Sequence, residues 1–247
     1  MKAIILVAGY ATRMYPLTLT QPKALLELGG RAIIDYIVDQ IGTLPDVNEI
    51  ILVSNNKFYK QFESWRENAV SAIPISLIND GSIHEDDRLG AIGDILFTIQ
   101  LKKIEEDVVI IAGDNYITYP LLEQYQFFKE KQSDVVCAKK MDDAEQLKQF
   151  AVATLDDNGK LLSLIEKPQT PASNIAIFAT YFYRKETLPL FSEYLKANES
   201  PDAPGYFIQW LHKKKDVYAY IMNGDCHDIG TIAAYEAMKK QIEGGGK

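Results

Sequence analysis

Uninterrupted apolar runs, rich in Ile and Val, alternate with helix-period segments through the first half of the chain. Ala3–Val7, Ile50–Val53, Ile73–Ile78, Val108–Ala112 and Val135–Ala138 read as strands. Between them, Ile33, Ile34, Ile37, Val38 and Ile41 recur at helical spacing, as do Phe58, Phe62, Trp65 and Ala69, then Ile92, Ile95, Leu96 and Ile99, then residues 121–128. A strand with one face in water alternates polar and apolar residues, whereas a continuous run is buried on both faces. The pattern therefore predicts an α/β chain: a mainly parallel sheet sandwiched between two helical layers, the Rossmann-like three-layer α/β/α arrangement.

The rhythm changes near residue 150. Ala151–Leu155, the turn Asp156-Asp157-Asn158-Gly159 and Leu161–Ile165 predict a β-hairpin. A strand over Ile175–Tyr183, helices near 186–197 and 204–213, a strand over Val217–Ile221 and a closing helix over Thr231–Ile242 follow. No hinge-like linker separates the halves. We expect a single unit over 1–243, with 1–149 mainly nucleotide-binding, an interleaved smaller β-rich part over 150–243, and Gly244-Gly245-Gly246-Lys247 as a frayed tail.

The first strand opens into a long loop, Gly9 to Lys23. In a doubly wound sheet such a loop lies at the carboxyl edge, where ligands bind. Ala8, Gly9 and Ala11 are small enough for backbone N–H groups to approach an oxyanion, with Thr12 beside them. Arg13 offers a planar fork for phosphate oxygens and Lys23 a mobile point charge. Neither GxxxxGK[ST] nor GxGxxG is present.

Charge qualifies this reading. With 26 Lys and Arg against 34 Asp and Glu, the net charge is −8, which excludes a general nucleic-acid binder. It does not exclude a phosphate substrate, because residues 1–31 carry Lys2, Arg13, Lys23 and Arg31 against Glu27 alone. Two Cys, Cys137 and Cys226, form no disulfide framework and fit a reducing cytoplasm. The six-residue apolar run after Lys2 is short for a secretory signal, and no run is long enough to span a membrane. His84-Glu85-Asp86-Asp87 lacks a second His and reads as a solvated loop rather than a metal site. In an extended Cys226-His227-Asp228 the neighbours point to opposite faces, which rejects a nucleophile pair.

The segment Gly9-Tyr10-Ala11-Thr12-Arg13-Met14-Tyr15-Pro16-Leu17-Thr18 followed by Pro22-Lys23 resembles the signature of the sugar-phosphate nucleotidyltransferases (NDP-sugar pyrophosphorylases). Gly113-Asp114-Asn115, Glu166-Lys167-Pro168 and Asp228-Ile229-Gly230-Thr231 match later motifs of that family in order. The nearest branch resembles glucose-1-phosphate thymidylyltransferase and similar short enzymes. The resemblance implies a reaction of a nucleoside triphosphate, dTTP or UTP favoured, with a sugar 1-phosphate, glucose 1-phosphate favoured, giving an NDP-sugar and pyrophosphate. The nucleophile is already an anion, so the chemistry needs charge neutralisation, alignment and a metal rather than a general base.

The same resemblance implies Mg²⁺ held by Asp114 and Asp228, a hard ion suited to carboxylate oxygens. Arg13 would stabilise the departing β,γ-phosphates, Lys23 the α-phosphate, and Lys167 the sugar phosphate. Glu166 would accept from sugar hydroxyls, with Ala151, Asn174 and Ile177 along the sugar. Asn79 and Gly90 would meet the base, Asn79 offering a donor and an acceptor. Ala11, Ala151 and Ala179 stand where glycine is common in the family, and Asn79 where glutamine is frequent. The longer relatives are often tetramers and the short ones vary, so a homo-oligomer is within the expectation. Two rival readings are a cytidylyltransferase acting on another phosphomonoester, such as phosphocholine, and a non-catalytic nucleotide-binding homologue.

Overall fold

The structure is a computed structural model that describes residues 1–244. Of the expected tail, Gly244 ends the last helix, and 245–247 lie outside the described residues. The first half contains β1 (Lys2–Leu6), a short hairpin of β2 (Glu27–Leu28) and β3 (Arg31–Ala32), α1 (Ile33–Gly42), β4 (Glu49–Ser54), α2 (Tyr59–Asn68), β5 (Ile75–Asn79), α3 (Ala91–Lys102), β6 (Val108–Ala112), β7 (Asn115–Ile117), α4 (Leu121–Lys131) and β8 (Asp134–Lys140). The second adds α5 (Ala144–Leu147), β9 (Ala151–Leu155), β10 (Leu161–Glu166), β11 (Ile175–Tyr183), α6 (Leu188–Lys196), α7 (Pro204–Leu211), β12 (Val217–Ile221), β13 (Cys226–Asp228) and α8 (Ile232–Gly244). The elements expected from periodicity all form, with ends displaced by a few residues.

The main sheet runs β10-β9-β11-β6-β1-β4-β5, with β8 and β12 joined through β11. Strands β6, β1, β4 and β5 are parallel, as their double burial predicts. Ala3, Ile5, Ile50, Leu52, Val109 and Ile111 face one apolar layer, capped by Ile34, Ile37 and Ile41 of α1, Phe62 of α2 and Phe128 of α4. Ile4, Ile51, Val53, Val108 and Ile110 face the other, capped by Ile92, Ile95 and Ile99 of α3, Phe191 of α6 and Phe207 of α7. No described helix is long and apolar enough to cross a membrane.

The strand β11 joins the two halves. It runs antiparallel to β8 along one edge. On its other edge it pairs with β9 at residues 175–177 and with β6 at residues 180–183. The register against β8 shifts between Phe178 and Tyr181, so Ala179 and Thr180 sit at the switch. The closing α8 returns to the amino-terminal region. There Tyr235 donates to the Glu27 carbonyl at 2.7 Å, and Met238 packs with Met14, Leu28 and Ile229.

Candidate active site

The loop after β1 is fixed by side chains that reach into it. The buried Asn55 donates to the Ala8 carbonyl at 2.9 Å and accepts the Phe58 N–H at 3.0 Å. Ala11 adopts a left-handed conformation with φ 48°. Its carbonyl accepts from Met14 N–H at 2.9 Å and from the Thr18 hydroxyl at 2.8 Å, which pins it there. A non-glycine residue in this region is strained by roughly 1 kcal/mol. Ala11→Gly is therefore expected to raise stability by about 0.5–1 kcal/mol, seen as a higher denaturant midpoint at unchanged slope. An unchanged or lower midpoint would contradict that strain.

Lys23 opens a 3₁₀ turn after Pro22, and its side chain is only 8% exposed. Its ammonium lies 2.8 Å from Asp114 Oδ2 and 3.4 Å from Asp228 Oδ1. Asp114 leaves the carboxyl end of β6. Asp228 is brought to it by an antiparallel pairing of β13 with β7, in which Asp228 faces Asn115. Gly113 makes the exit of β6 feasible. Its N–H donates to the Leu6 carbonyl at 2.9 Å, and a Cβ there would collide with Val7 Cγ1.

The Arg13 guanidinium and the Asp228 carboxylate both line the space over Gly230, at 3.4 and 3.3 Å from where a Cβ would stand. Loss of water around Asp228 and the charge of Asp114 push the Asp228 carboxyl up, while Lys23 and Arg13 pull it back. The negative charge of Asp114 that raises the proton affinity of Asp228 would favour a cation between them as well. Their oxygens fit a hard ion completed by phosphate and water.

Strand register brings together three of the residues expected at the sugar. Glu166 on β10 pairs with Ala151 on β9, and Ala151 with Ile177 on β11, so the three stand in one row. Ile177 lies just past the point where β6 ends against β11, which sets the row beside the exit toward Asp114. The Glu166 carboxylate fills the space that a side chain on Gly205 of α7 would need. Burial pushes its carboxyl up, and Lys167 opposes this. Lys167 is exposed, has φ 45°, and donates its N–H to the Phe150 carbonyl at 3.1 Å. Asn174 is exposed and precedes β11, outside this row.

In the segment expected at the base, the Asn79 amide is already engaged. It donates to Asn56 Oδ1 at 2.8 Å and accepts the Gly81 N–H at 2.9 Å. One N–H and one lone pair remain for a ligand. Gly90 has φ 77° and faces the Pro201 carbonyl, with no room for a Cβ. The Asp87 carboxylate accepts the N–H groups of Ile83 and His84, so it caps its own turn. Among the described residues no group of three His, Cys, Asp or Glu could hold a metal by itself. Cys226 is buried in the core and His227 stacks on Tyr116, so the two do point apart.

Sequence reading did not pick out Asn55 or Gly205, and it met Thr18 only as the end of the loop signature. A polar residue directly after a buried strand was the available signal for Asn55. Gly205 gave none, since its partner Glu166 lies on a distant strand.

A family model described as nucleotidyl transferase matches residues 2–244. A glucose-1-phosphate adenylyltransferase of Clostridium novyi is 28% identical over 245 residues, covering 94% of this chain and 64% of that protein. A UTP–glucose-1-phosphate uridylyltransferase of Haloferax volcanii is 26% identical over 183 residues, covering 74% and 72%. The chain spans between about half and about three quarters of the length of such curated relatives. The solved structure of a UDP-glucose pyrophosphorylase with UDP-glucose superposes with a TM-score of 0.82 at 19% identity, covering 99% of this chain and 98% of that one. At this identity the superposition establishes the fold.

Proposed function

The chain belongs to the nucleotidyl transferase family, and on that footing we propose that it joins a nucleoside triphosphate to a sugar 1-phosphate, releasing pyrophosphate and an NDP-sugar. The observation that carries the reading is the Lys23 ammonium between Asp114 and Asp228, with Arg13 alongside, at the carboxyl edge of the sheet. An oxygen of the sugar phosphate attacks the α-phosphorus, and the bond from that phosphorus to the β-bridging oxygen breaks as pyrophosphate leaves.

Backbone N–H groups of Ala8, Gly9, Ala11 and Thr12 receive the phosphates. Arg13 neutralises the departing pair, and Lys23 meets charge developing at the α-phosphate. Lys167 holds the attacking phosphate, and Glu166 orients the sugar beside Ala151 and Ile177. Asn174 takes a peripheral part at the start of the same strand. Asn79 and the backbone at Gly90 meet the base. Asp114 and Asp228 would hold Mg²⁺, which supplies charge neutralisation across the phosphates when bound.

We favour dTTP or UTP with glucose 1-phosphate. The glucose-1-phosphate relatives support the sugar, and the motif resemblance supports the base. Residues 1–149 and 150–243 then serve as nucleotide and sugar-phosphate halves of one unit, acting in the cytoplasm. Pyrophosphate release across dTTP, UTP, CTP, ATP and GTP, each with glucose 1-phosphate, other sugar 1-phosphates and phosphocholine in magnesium buffer, tests this. Glucose 1-phosphate with dTTP or UTP is expected to lead the panel. Turnover confined to CTP and phosphocholine would replace the reading by the cytidylyl one, and no turnover with any sugar phosphate would refute it.

A further inference from the structure

A buried carboxyl lies outside the machinery described so far. Asp94, in the first turn of α3, is 6% exposed, and its Oδ1 has no hydrogen-bond partner in the protein. Its neighbour is Asp80, in the turn that follows Asn79, whose carboxyl group stands within reach of a shared hydrogen bond with it. Two carboxylates have only acceptor atoms, so that bond requires one proton between them.

The turn is tied further. Asp80 accepts the Ser82 N–H at 2.7 Å and the Ser82 hydroxyl at 2.8 Å, and the Tyr10 hydroxyl lies 3.3 Å from Ser82 Oγ. Tyr10 is buried and belongs to the loop that receives the phosphates. A single polar chain thus runs from α3 through the turn to that loop.

We propose that Asp94 is a positioning residue of the nucleoside subsite: the proton it shares with Asp80 clamps the turn Asp80–Ser82 to α3 and, through Ser82, to Tyr10. The proposal rests on reading Asn79 and Gly90 as the nucleoside subsite. The clamp holds Asn79 from its carboxyl side, as Asn56 holds it from the other, so the remaining N–H and lone pair of its amide keep a fixed direction. Loss of the proton would place two anions against each other in a poorly hydrated site and push the turn away from α3.

The surroundings favour the proton. Burial and the charge of Asp80 push the Asp94 carboxyl up to about 8. Asp87 also acts on Asp80, and both Asp80 and Asp87 act on Tyr10. The elements packed on α3 bring apolar groups: Ile4 from β1, Leu188 and Phe191 from α6, and Phe207 from α7. Among the described residues no cation contributes to the shift at Asp94.

Equilibrium binding of dTTP, UTP, CTP, ATP and GTP in magnesium buffer, at about pH 6.5 and about pH 9, tests the clamp in wild type, Asp94→Asn and Asp94→Ala. The nucleotide that binds best is expected to bind about tenfold or more weakly to wild type at the higher pH. Asp94→Asn keeps a permanent donor to Asp80 and is expected to bind equally at both. Asp94→Ala should bind weakly at both, with a raised nucleotide KM and unchanged kcat and sugar-phosphate KM. If Asp94→Ala does not fold, the flat profile of Asp94→Asn decides. A wild type whose affinity ignores pH, or an Asp94→Asn that keeps the alkaline loss, would overturn the clamp and leave the nucleoside subsite intact. Failure of all five nucleotides to bind wild type would overturn the subsite and the clamp with it.

Discussion

Asp114→Ala should lose about 10³-fold or more in kcat under saturating magnesium, with a thermal midpoint within about 3 °C of wild type. The separation of the two effects follows from the surroundings of the carboxylate. Its side chain is 42% exposed, and the ion pair it makes with Lys23 is therefore worth at most about 1 kcal/mol. Removing it also relieves the charge that pushes Asp228 up. The fold thus gives up one partner for Lys23 and gains a less crowded Asp228, whose oxygen stays 3.4 Å from the ammonium. Catalysis has no such compensation, because one of the two oxygen sets proposed for the cation is gone. Pyrophosphate-release kinetics beside a melting curve decide it, and a kcat within tenfold of wild type would refute the assignment.

One residue earlier, Gly113→Ala should show the opposite signature, a loss of stability of about 3 kcal/mol with activity falling about 10²-fold as a consequence. The added methyl group would collide with Val7 Cγ1 and lie 3.0 Å from the Leu6 carbonyl oxygen. The backbone cannot retreat, because the Gly113 N–H is bonded to that same carbonyl. Whatever yields moves Asp114 with it. At this chain length the loss corresponds to a midpoint lower by roughly 6–12 °C. A Gly113→Ala protein that melts like wild type would show that the exit of β6 tolerates a side chain.

Much of the scaffold could be read before any coordinates, for a physical reason. Strands buried on both faces must be apolar without interruption, so β1, β4 and β6 were visible in the sequence alone. The β9–β10 hairpin was equally plain. Asp156 accepts the N–H groups of Asn158 and Lys160, and Gly159 sits at φ 82°, which are local interactions written in local residues.

The pairing of β7 with β13 could not be seen. Each has three residues, and Asn115 meets Asp228 across more than a hundred positions. That pairing sets Asp228 beside Asp114, so the motifs named the candidate residues while non-local register supplied their arrangement. The segment expected at the base was harder still. Asn79 looked free to present its amide, yet Asn56, from the loop after another strand, occupies part of it. Asp94 fell outside the apolar spacing of α3, which gave no sign of its burial. The cover provided by α6, α7 and the turn at Asp80 is a tertiary fact with no local trace.

The split edge of β11 has a mechanical consequence. One strand edge serves β9 and then β6, so the strands of the second half share a hydrogen-bonded ladder with those of the first. Swinging one half against the other would strip amide partners from the middle of the sheet. Large hinge closure, the usual means by which a two-part enzyme encloses two substrates, is therefore closed to this chain. Enclosure has to come from its loops, and under denaturant the two halves should give way together as one cooperative unit.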